Sequence, residues 1–341
     1  MRRSGGAVSA APARRDWDEA ELALRALPPT AKVLLVCHVN PDGDALGSML
    51  GFALGLRQLG FSRLEASFSG PPELPETLTG LPGLDLLVGE DQVDPEPDAV
   101  LAFDVASLSR LGKLGRLFER APLNMVLDHH ASTTRFGQIN LVDPVAAATA
   151  AVAERLLTRL AVKLDAAIAE CLYIALATDT GSFRFNCTPA THELAARLIA
   201  AGLPAGAISQ RLFDTRPFGA IRLFGDILAR ASLEPSAAGG KGLVWSYVTV
   251  ADLARHGQRP QELEALIDLV RCAEEAEVAC LIKPVSAADW TVSLRSKGAV
   301  DVSAIAVSLG GGGHRAAAGF TSSGRIDDIM ASVRRLLDGQ G

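Results

Sequence analysis

Four apolar segments of this chain each end at a histidine or an aspartate, and this pattern constrains the fold more than any other feature. Three of the segments are as short as buried strands, and the fourth has the length of a helix. Open α/β sheets bind their ligands at the carboxyl ends of the strands, so the sequence predicts one shared site. Its candidate residues are His38, Asp42 and Asp44 after 32–37, Asp104 after 100–103, Asp128, His129 and His130 after 125–127, and Asp179 after 165–177.

Strand-like and helix-like segments alternate over the first two thirds of the chain. Residues 32–37, 98–105 and 124–127 read as strands, and residues 45–59, 146–160 and 165–177 read as helices. Such alternation is typical of a mainly parallel sheet with helices on both faces. We therefore predict an α/β fold for this part of the chain.

The pattern changes near residue 213, and a turn-rich stretch at 234–240 predicts a linker before a second, smaller α/β domain. In that domain residues 243–250, 277–283 and 290–295 read as strands, and residues 261–272, 302–309 and 327–337 read as helices. The predicted organisation is a disordered leader (1–18), a metal-binding catalytic domain (19–210), a helical connector and linker (211–240) and the smaller domain (241–341). We expect the active site in the cleft between the two domains.

Composition excludes several classes of function. The net charge of −6 argues against a protein that grips long duplex nucleic acid, which usually needs a basic face. The five cysteines are scattered without a CxxC pair, which argues against a disulfide framework and a thiolate zinc site and favours the cytoplasm. No apolar run approaches the length of a membrane span, and the basic leader lacks the apolar stretch of a signal peptide.

The candidate site offers carboxylates and imidazoles, which suit two divalent cations such as Mn²⁺ or Mg²⁺. Asp42 and Asp44 flank a glycine and can point at two neighbouring ions, and Asp104 can bridge that pair from another strand. His38, His129 and Asp179 can complete the two ligand sets. The alternative for each aspartate is a turn or a helix cap, with Asp44 as the cap of the helix that follows.

A second constellation lies in the smaller domain, at Gly310–Arg315. Glycines allow backbone N–H groups to approach an anion closely. His314 and Arg315 add side-chain donors beside this run, as do Arg295 and Lys297. The alternative is a flexible turn between a helix and a strand.

These residues resemble the motifs of the DHH phosphoesterase superfamily. His38 with 42–44, Asp104, 128–130 and Asp179 match its four motifs in order and spacing. Residues 293–297, 301–303 and 310–315 resemble the DHH-associated C-terminal domain of subtype 1. The similarity extends over about residues 30–340 and is greatest to the branch of small oligoribonucleases and pAp phosphatases, some of which also hydrolyse cyclic di-AMP or pApA.

The resemblance implies a role for each matching residue. His38 and Asp42 would bind one metal ion, Asp44, His129 and Asp179 the other, and Asp104 would bridge them. His130 would act near the scissile phosphate, and Asp128 would orient a neighbouring histidine. The remote phosphate or base of the substrate would contact Arg295, Lys297, the backbone of Gly311, Gly312 and Gly313, His314 and Arg315.

The implied enzyme uses two Mn²⁺ ions, with Mg²⁺ or Co²⁺ also suitable, and a hydroxide that bridges them attacks phosphorus. Its substrates would be short RNA oligonucleotides of two to five residues, pApA, pAp and cyclic di-AMP, and it would form a homodimer. Three alternatives stay open on the sequence alone: a manganese-dependent inorganic pyrophosphatase, a long-strand exonuclease, and a nucleotide-sensing module without catalysis.

Overall fold

The chain divides into two compact units, with the boundary between Thr215 and Arg216. The computed structural model describes residues 11–71, 73–263, 265–286 and 288–339. No helix in these ranges is both long enough and apolar enough to cross a membrane.

The sheet of the first unit consists of five parallel strands. They are β1 (Lys32–Cys37), β2 (Arg63–Ser67), β3 (Ala99–Phe103), β4 (Leu123–Asp128) and β5 (Ile139–Val142). Their order across the sheet is β2-β1-β3-β4-β5. The three strands that the apolar runs predict are confirmed as β1, β3 and β4. They are continuous apolar runs because helices cover both faces of the sheet.

Seven helices surround this sheet in the part of the chain that the structure describes. They are α1 (Arg14–Ala26), α2 (Gly43–Gln58), α3 (Gly115–Arg120), α4 (Thr149–Arg159), α5 (Ala166–Asp179), α6 (Pro189–Ala200) and α7 (Ala205–Ser209), with 3₁₀ turns at Glu76–Leu78, Leu84–Leu86 and Leu108–Leu114 and a π-helical turn at Gln210–Asp214. Side chains of α2, α4 and α5 form the core on one face. Leu111, Leu114 and Phe118, from the third 3₁₀ turn and α3, cover the other face.

Helix α1 contradicts the prediction that residues 1–18 form a disordered leader, at its residues 14–18. Residues 14–18 belong to this helix, and Trp17, Ala20 and Leu24 place one apolar stripe in the core. Trp17 is only 1% exposed, and the guanidinium of Arg155 lies 4.3 Å from the centre of its ring. The burial of this stripe stabilises helix where the basic composition suggested a tail. Residues 1–10 of the predicted leader lie outside the described residues.

Glycines recur at every fourth position of α2, at Gly43, Gly47, Gly51 and Gly55, and bring its backbone close to its neighbours. A Cβ atom on Gly47 would lie 2.4 Å from the backbone oxygen of Cys171 in α5. A Cβ atom on Gly43 would lie 2.4 Å from the hydroxyl oxygen of Thr178, near the end of α5. The start of α2 and the end of α5 are therefore held against each other.

The second unit contains a mixed sheet of six strands in its described part. They are β6 (Ser232–Glu234), β7 (Leu243–Tyr247), β8 (Val278–Pro284), β9 (Asp289–Ser296), β10 (Gly312–His314) and β11 (Ala317–Ser323). Their order is β10-β11-β9-β8-β7-β6, and β7 and β8 form the parallel pair. The prediction that the smaller domain has an α/β fold is confirmed.

Helices cover one face of this second sheet and part of the other. They are α8 (Phe218–Ala229), the turn α9 (Ala237–Gly240), α10 (Val250–His256), α11 (Leu266–Val270), α12 (Val302–Ser308) and α13 (Ile326–Asp338), with a 3₁₀ turn at Pro260–Leu263. Helices α12 and α13 cover one face, and α8, α10 and α11 pack on the other face at β7 and β8. The predicted connector 211–240 is not a separate segment, because α8 joins this core and β6 pairs with β7.

Candidate metal centre

The strand order places the site at the carboxyl edge of the first sheet, where the chain direction across the sheet reverses. The chain passes from β1 to β2 on one side and then to β3 on the other side of β1. Such a reversal leaves a crevice beyond the carboxyl ends of β1 and β3. His38 directly follows β1, and Asp104 directly follows β3. Asp104 has a positive φ of 55°, which few residues other than glycine adopt.

One group of ligand atoms consists of His38, Asp42 and Asp104, whose atoms lie within 4.8 Å of one another. His38 Nε2 is 3.4 Å from Asp104 Oδ2 and 3.9 Å from Asp42 Oδ1. His38 Nδ1 lies 2.8 Å from the carbonyl oxygen of Val39, and a carbonyl only accepts, so Nδ1 carries the hydrogen. In the neutral ring, the lone pair of Nε2 therefore points at the carboxylates.

Asp42 is also the N-cap of α2, since its Oδ1 accepts the N–H of Ala45 at 3.0 Å. The predicted alternative role of Asp44 as the cap is wrong, because Asp44 lies inside the first turn of the helix. The cap role does not remove Asp42 from the site, since its side chain is 63% exposed and the same Oδ1 lies 3.9 Å from His38 Nε2.

A second group consists of Asp44, His129 and Asp179, again within 4.8 Å of one another. His129 Nε2 lies 3.7 Å from Asp44 Oδ2 and 3.7 Å from Asp179 Oδ2. His129 Nδ1 faces the carbonyl oxygen of Ala146 at 3.2 Å, which assigns the hydrogen to Nδ1 as in His38. The antiparallel packing of α2 against α5 brings Asp44 and Asp179 together.

Asp104 belongs to the first group and also faces the second, through its two oxygens. Its Oδ2 faces His38, and its Oδ1 lies 3.6 Å from His129 Nε2. One carboxylate oxygen therefore points to each group, as a bridging ligand requires.

The charges in this crevice fit bound cations. Burial, and then the carboxylates of Asp104 and Asp179, raise the pKa of Asp44 well above its usual range. Burial also raises the pKa of Asp179 to about 6, where His129 opposes the shift and Asp104 adds to it. The Nε2 atoms of His38 and His129 face carboxylate oxygens at 3.4–3.9 Å. Divalent ions that prefer oxygen and imidazole ligands would satisfy both kinds of group.

His130 and Asp128 form a pair beside the metal groups, and His130 Nδ1 lies 3.6 Å from Asp104 Oδ1. His130 Nδ1 is 2.7 Å from Asp128 Oδ1, and the hydroxyl of Thr133 donates to the other oxygen of Asp128. Burial lowers the pKa of His130, but the charge and the hydrogen bond of Asp128 outweigh it and raise the pKa to about 10. The side chain of His130 is 20% exposed, so the protonated imidazole remains accessible from solvent.

The sequence analysis missed Thr149, which is fully buried against the metal groups. Its hydroxyl donates to Asp104 Oδ1 at 2.9 Å, and its backbone N–H donates to Asp44 Oδ2 at 2.7 Å. Ser48, also missed, donates to Asp44 Oδ1 at 2.9 Å. For Thr149, the one available sequence signal was a single hydroxyl side chain within the alanine-rich run 146–151.

In the second unit, Arg295 and His314 lie on one row of the sheet. Arg295 is paired with Ala317, and Ala317 is paired with His314, so all three side chains point to the same face. Along β9 the buried residues alternate with half-buried ones, and Arg295 belongs to the half-buried set. Two basic side chains therefore flank a small alanine on this polar face.

Lys297 and Arg315 have other partners in this unit. The ammonium of Lys297 donates to the backbone oxygen of Ala273, and Arg315 Nη1 lies 3.6 Å from Asp301 Oδ2. The structure therefore does not place Lys297 in the row formed by Arg295 and His314.

Part of the glycine run forms a strand rather than a flexible turn. Gly312 and Gly313 belong to the edge strand β10, which pairs with β11. A Cβ atom on Gly311 would lie 2.1 Å from the backbone oxygen of Gly319, so this position requires glycine for close approach. As an edge strand, β10 keeps backbone groups on its outer side unpaired with another strand.

Comparisons with known proteins agree with this architecture. Residues 32–176 match the DHH family N-terminal domain, and residues 241–339 match the DHHA1 domain. The chain is 32% identical to the bifunctional oligoribonuclease and PAP phosphatase NrnA of Thermus thermophilus, over 96% of this chain and 95% of that protein. It is 26% identical to the protein of the same name from Bacillus subtilis, over 89% of this chain and 94% of that protein.

Solved structures share the fold. An exopolyphosphatase-related protein from Bacteroides fragilis superposes with a TM-score of 0.84 at 21% identity, over 96% of each chain. The exonuclease RecJ bound to manganese matches with a TM-score of 0.50 at 18% identity, over 94% of each chain. The family that the motifs suggest is confirmed: this chain belongs to the DHH family and carries a DHHA1 domain after its DHH domain.

Proposed function

We propose that this chain is a metal-dependent phosphoesterase that hydrolyses short oligoribonucleotides and pAp to mononucleotides. The observation that carries the proposal is the meeting of six side chains at the carboxyl edge of the first sheet, in two groups that share Asp104. The relatives from Thermus thermophilus and Bacillus subtilis are named for these two activities, and this chain spans 95% and 94% of their lengths.

The ligand roles follow from the two groups. We assign His38, Asp42 and one oxygen of Asp104 to the first cation, and Asp44, His129, Asp179 and the other oxygen of Asp104 to the second. When bound, two such cations supply a nucleophilic water at neutral pH and stabilise the attacking and leaving oxygens of an in-line displacement.

His130 acts on the leaving group in this proposal. Asp128 holds its Nδ1, which fixes the orientation of the ring and keeps the imidazole protonated. A proton on Nε2 can then pass to the oxygen that leaves phosphorus, or stabilise the charge that develops there. Asp128 is fully buried, so we assign it to orienting His130.

The second unit would bind the part of the substrate that is remote from the reaction. Arg295 and His314 flank Ala317 on one sheet face, a spacing that suits a phosphate between two donors. We keep Arg315 and the outer backbone edge of Gly311, Gly312 and Gly313 as further contacts. Lys297 is the weakest member of the predicted set, because its ammonium already donates to the carbonyl of Ala273.

The finer assignments extend this proposal. We propose Mn²⁺ as the working ion, because the ligand set mixes carboxylates with imidazoles, and Mg²⁺ or Co²⁺ as substitutes. We further propose pApA and cyclic di-AMP as substrates beside short RNA and pAp, a homodimer as the assembled form, and the cytoplasm as the location. The five free cysteines fit a reducing compartment.

A substrate panel tests the proposal. With Mn²⁺, we expect rapid turnover of pApA, pAp and di- to pentanucleotide RNA, and turnover of pyrophosphate at least about 10²-fold slower in kcat/KM, a difference of about 2.7 kcal/mol in transition-state binding. Dialysis against a chelator should remove the activity, and added Mn²⁺ should restore it. The panel is read by chromatography of the products.

Two outcomes would contradict the proposal. Preference for pyrophosphate over every nucleotide would make the chain a pyrophosphatase. Tight nucleotide binding by calorimetry without any turnover in Mn²⁺, Mg²⁺ or Co²⁺ would make it a sensing module.

A further inference from the structure

Thr149 begins α4 and donates two hydrogen bonds, both to carboxylates of the metal groups. Its hydroxyl donates to Asp104 Oδ1, and its backbone N–H donates to Asp44 Oδ2. The N–H of the next residue, Ala150, donates to Asp44 Oδ1 at 3.2 Å. All of these groups are buried, so each bond is made away from water.

The start of α4 explains why Asp44 accepts these bonds. The N-cap of α4 is Ala148, whose methyl side chain cannot accept the N–H groups that the first turn leaves unpaired. The carboxylate of Asp44, which comes from α2, takes that place. The helix dipole at this end of α4 also favours the negative charge. The orientation of Asp44 is therefore fixed by the start of α4 as well as by Ser48 of its own helix.

The hydroxyl of Thr149 acts on only one of the two oxygens of Asp104. It contacts Oδ1, the oxygen that lies 3.6 Å from His129 Nε2, whereas Oδ2 faces His38. Both acceptors of Thr149, Asp104 Oδ1 and Asp44 Oδ2, thus face the group of Asp44, His129 and Asp179.

We propose that Thr149 is a positioning residue that sets the affinity of one of the two cation sites, the site formed by Asp44, His129 and Asp179. Its hydroxyl orients the bridging oxygen toward this site, and its backbone orients Asp44. The inference rests on the proposed metal-dependent function and deepens it. Hydrogen bonds that orient a metal ligand typically change metal affinity by about 10- to 100-fold when they are lost.

The test is a titration of Mn²⁺ into the metal-free full-length protein by calorimetry. Thr149→Val keeps the shape and the backbone N–H and removes only the hydroxyl. We expect two binding events in the wild-type protein and a Kd raised about 10- to 100-fold for one of them in the variant. Asp179→Asn and Asp42→Asn identify the events, and Thr149→Val should weaken the event that Asp179→Asn weakens.

Further variants separate positioning from stability. Thr149→Ser keeps a hydroxyl and should restore the wild-type Kd values. Thr191→Val removes a buried hydroxyl from the capping box of α6, so it should lower the melting temperature while both Kd values stay unchanged. If Thr149→Val does not fold, Thr149→Ala removes the same hydroxyl and replaces it in the titration.

The outcomes distinguish this inference from the function on which it rests. A wild-type protein that binds no Mn²⁺ would overturn both. Two wild-type events with unchanged Kd values in Thr149→Val, or equal weakening of both events, would overturn the role of Thr149 and leave the proposed function standing.

Discussion

Replacement of Asp104 with asparagine is expected to reduce kcat for pApA hydrolysis by at least about 10³-fold, or about 4 kcal/mol of transition-state stabilisation. Asparagine keeps the size of the side chain but replaces one oxygen with an NH₂ group, which cannot bind a cation. One of the two groups that share Asp104 must then lose its bridging ligand. Steady-state kinetics in saturating Mn²⁺ measure the effect.

Asp98 provides the matched control for Asp104, because it lies just before β3, at the opposite end of the same strand. Its Oδ2 accepts the backbone N–H of Lys32 at 2.8 Å, and the amide oxygen of asparagine can accept the same bond. Asp98→Asn should therefore keep kcat within about twofold of wild type, as expected for a surface change. Equal kcat values for Asp104→Asn and the wild-type protein would contradict the assigned role.

Replacement of Gly47 with alanine is expected to lower the free energy of unfolding by about 1–3 kcal/mol and to reduce kcat/KM by about 10²-fold. The added Cβ would lie 2.4 Å from the backbone oxygen of Cys171, which cannot rotate away. Helices α2 and α5 must then separate, and Asp44 and Asp179 are carried on these two helices. A displacement of about 1 Å between such groups is enough for a loss of this size.

The same substitution at Gly206 should not lower the free energy of unfolding. Gly206 lies in α7, where a Cβ atom would meet nothing within 4 Å. Alanine favours helix over glycine by about 1 kcal/mol, so Gly206→Ala should be neutral or stabilising and leave kcat/KM unchanged. Urea unfolding and pApA kinetics on both variants decide the matter. A Gly47→Ala protein as stable and active as Gly206→Ala would refute the packing argument.

Strands β1, β3 and β4 and the candidate ligands were predictable because their signals are local. Each of these three strands is a mostly apolar run, and His38 and Asp104 directly follow β1 and β3. That several such strand ends share one edge follows from parallel pairing alone. The sequence therefore predicts a common site at this edge before any distance is known.

Other features depend on contacts between distant segments and left no local signal. Thr149 donates to Asp104 across 45 residues and to Asp44 across 105, and an alanine run gives no hint of this. The need for glycine at position 47 arises only from the close approach of the Cys171 backbone, which the local sequence does not indicate. The start of α1 within the predicted leader was also unpredictable, because α1 becomes a helix by burying Trp17 in a core that other segments build.

Anomalous diffraction at the manganese edge, from crystals of the full chain soaked in Mn²⁺, tests the central claim most directly. The account predicts two peaks per chain, one beside His38 and Asp42 and one beside Asp44, His129 and Asp179, with Asp104 contacting both. Peaks at other surfaces, or a crevice with these ligands in place and no manganese in it, would contradict the account.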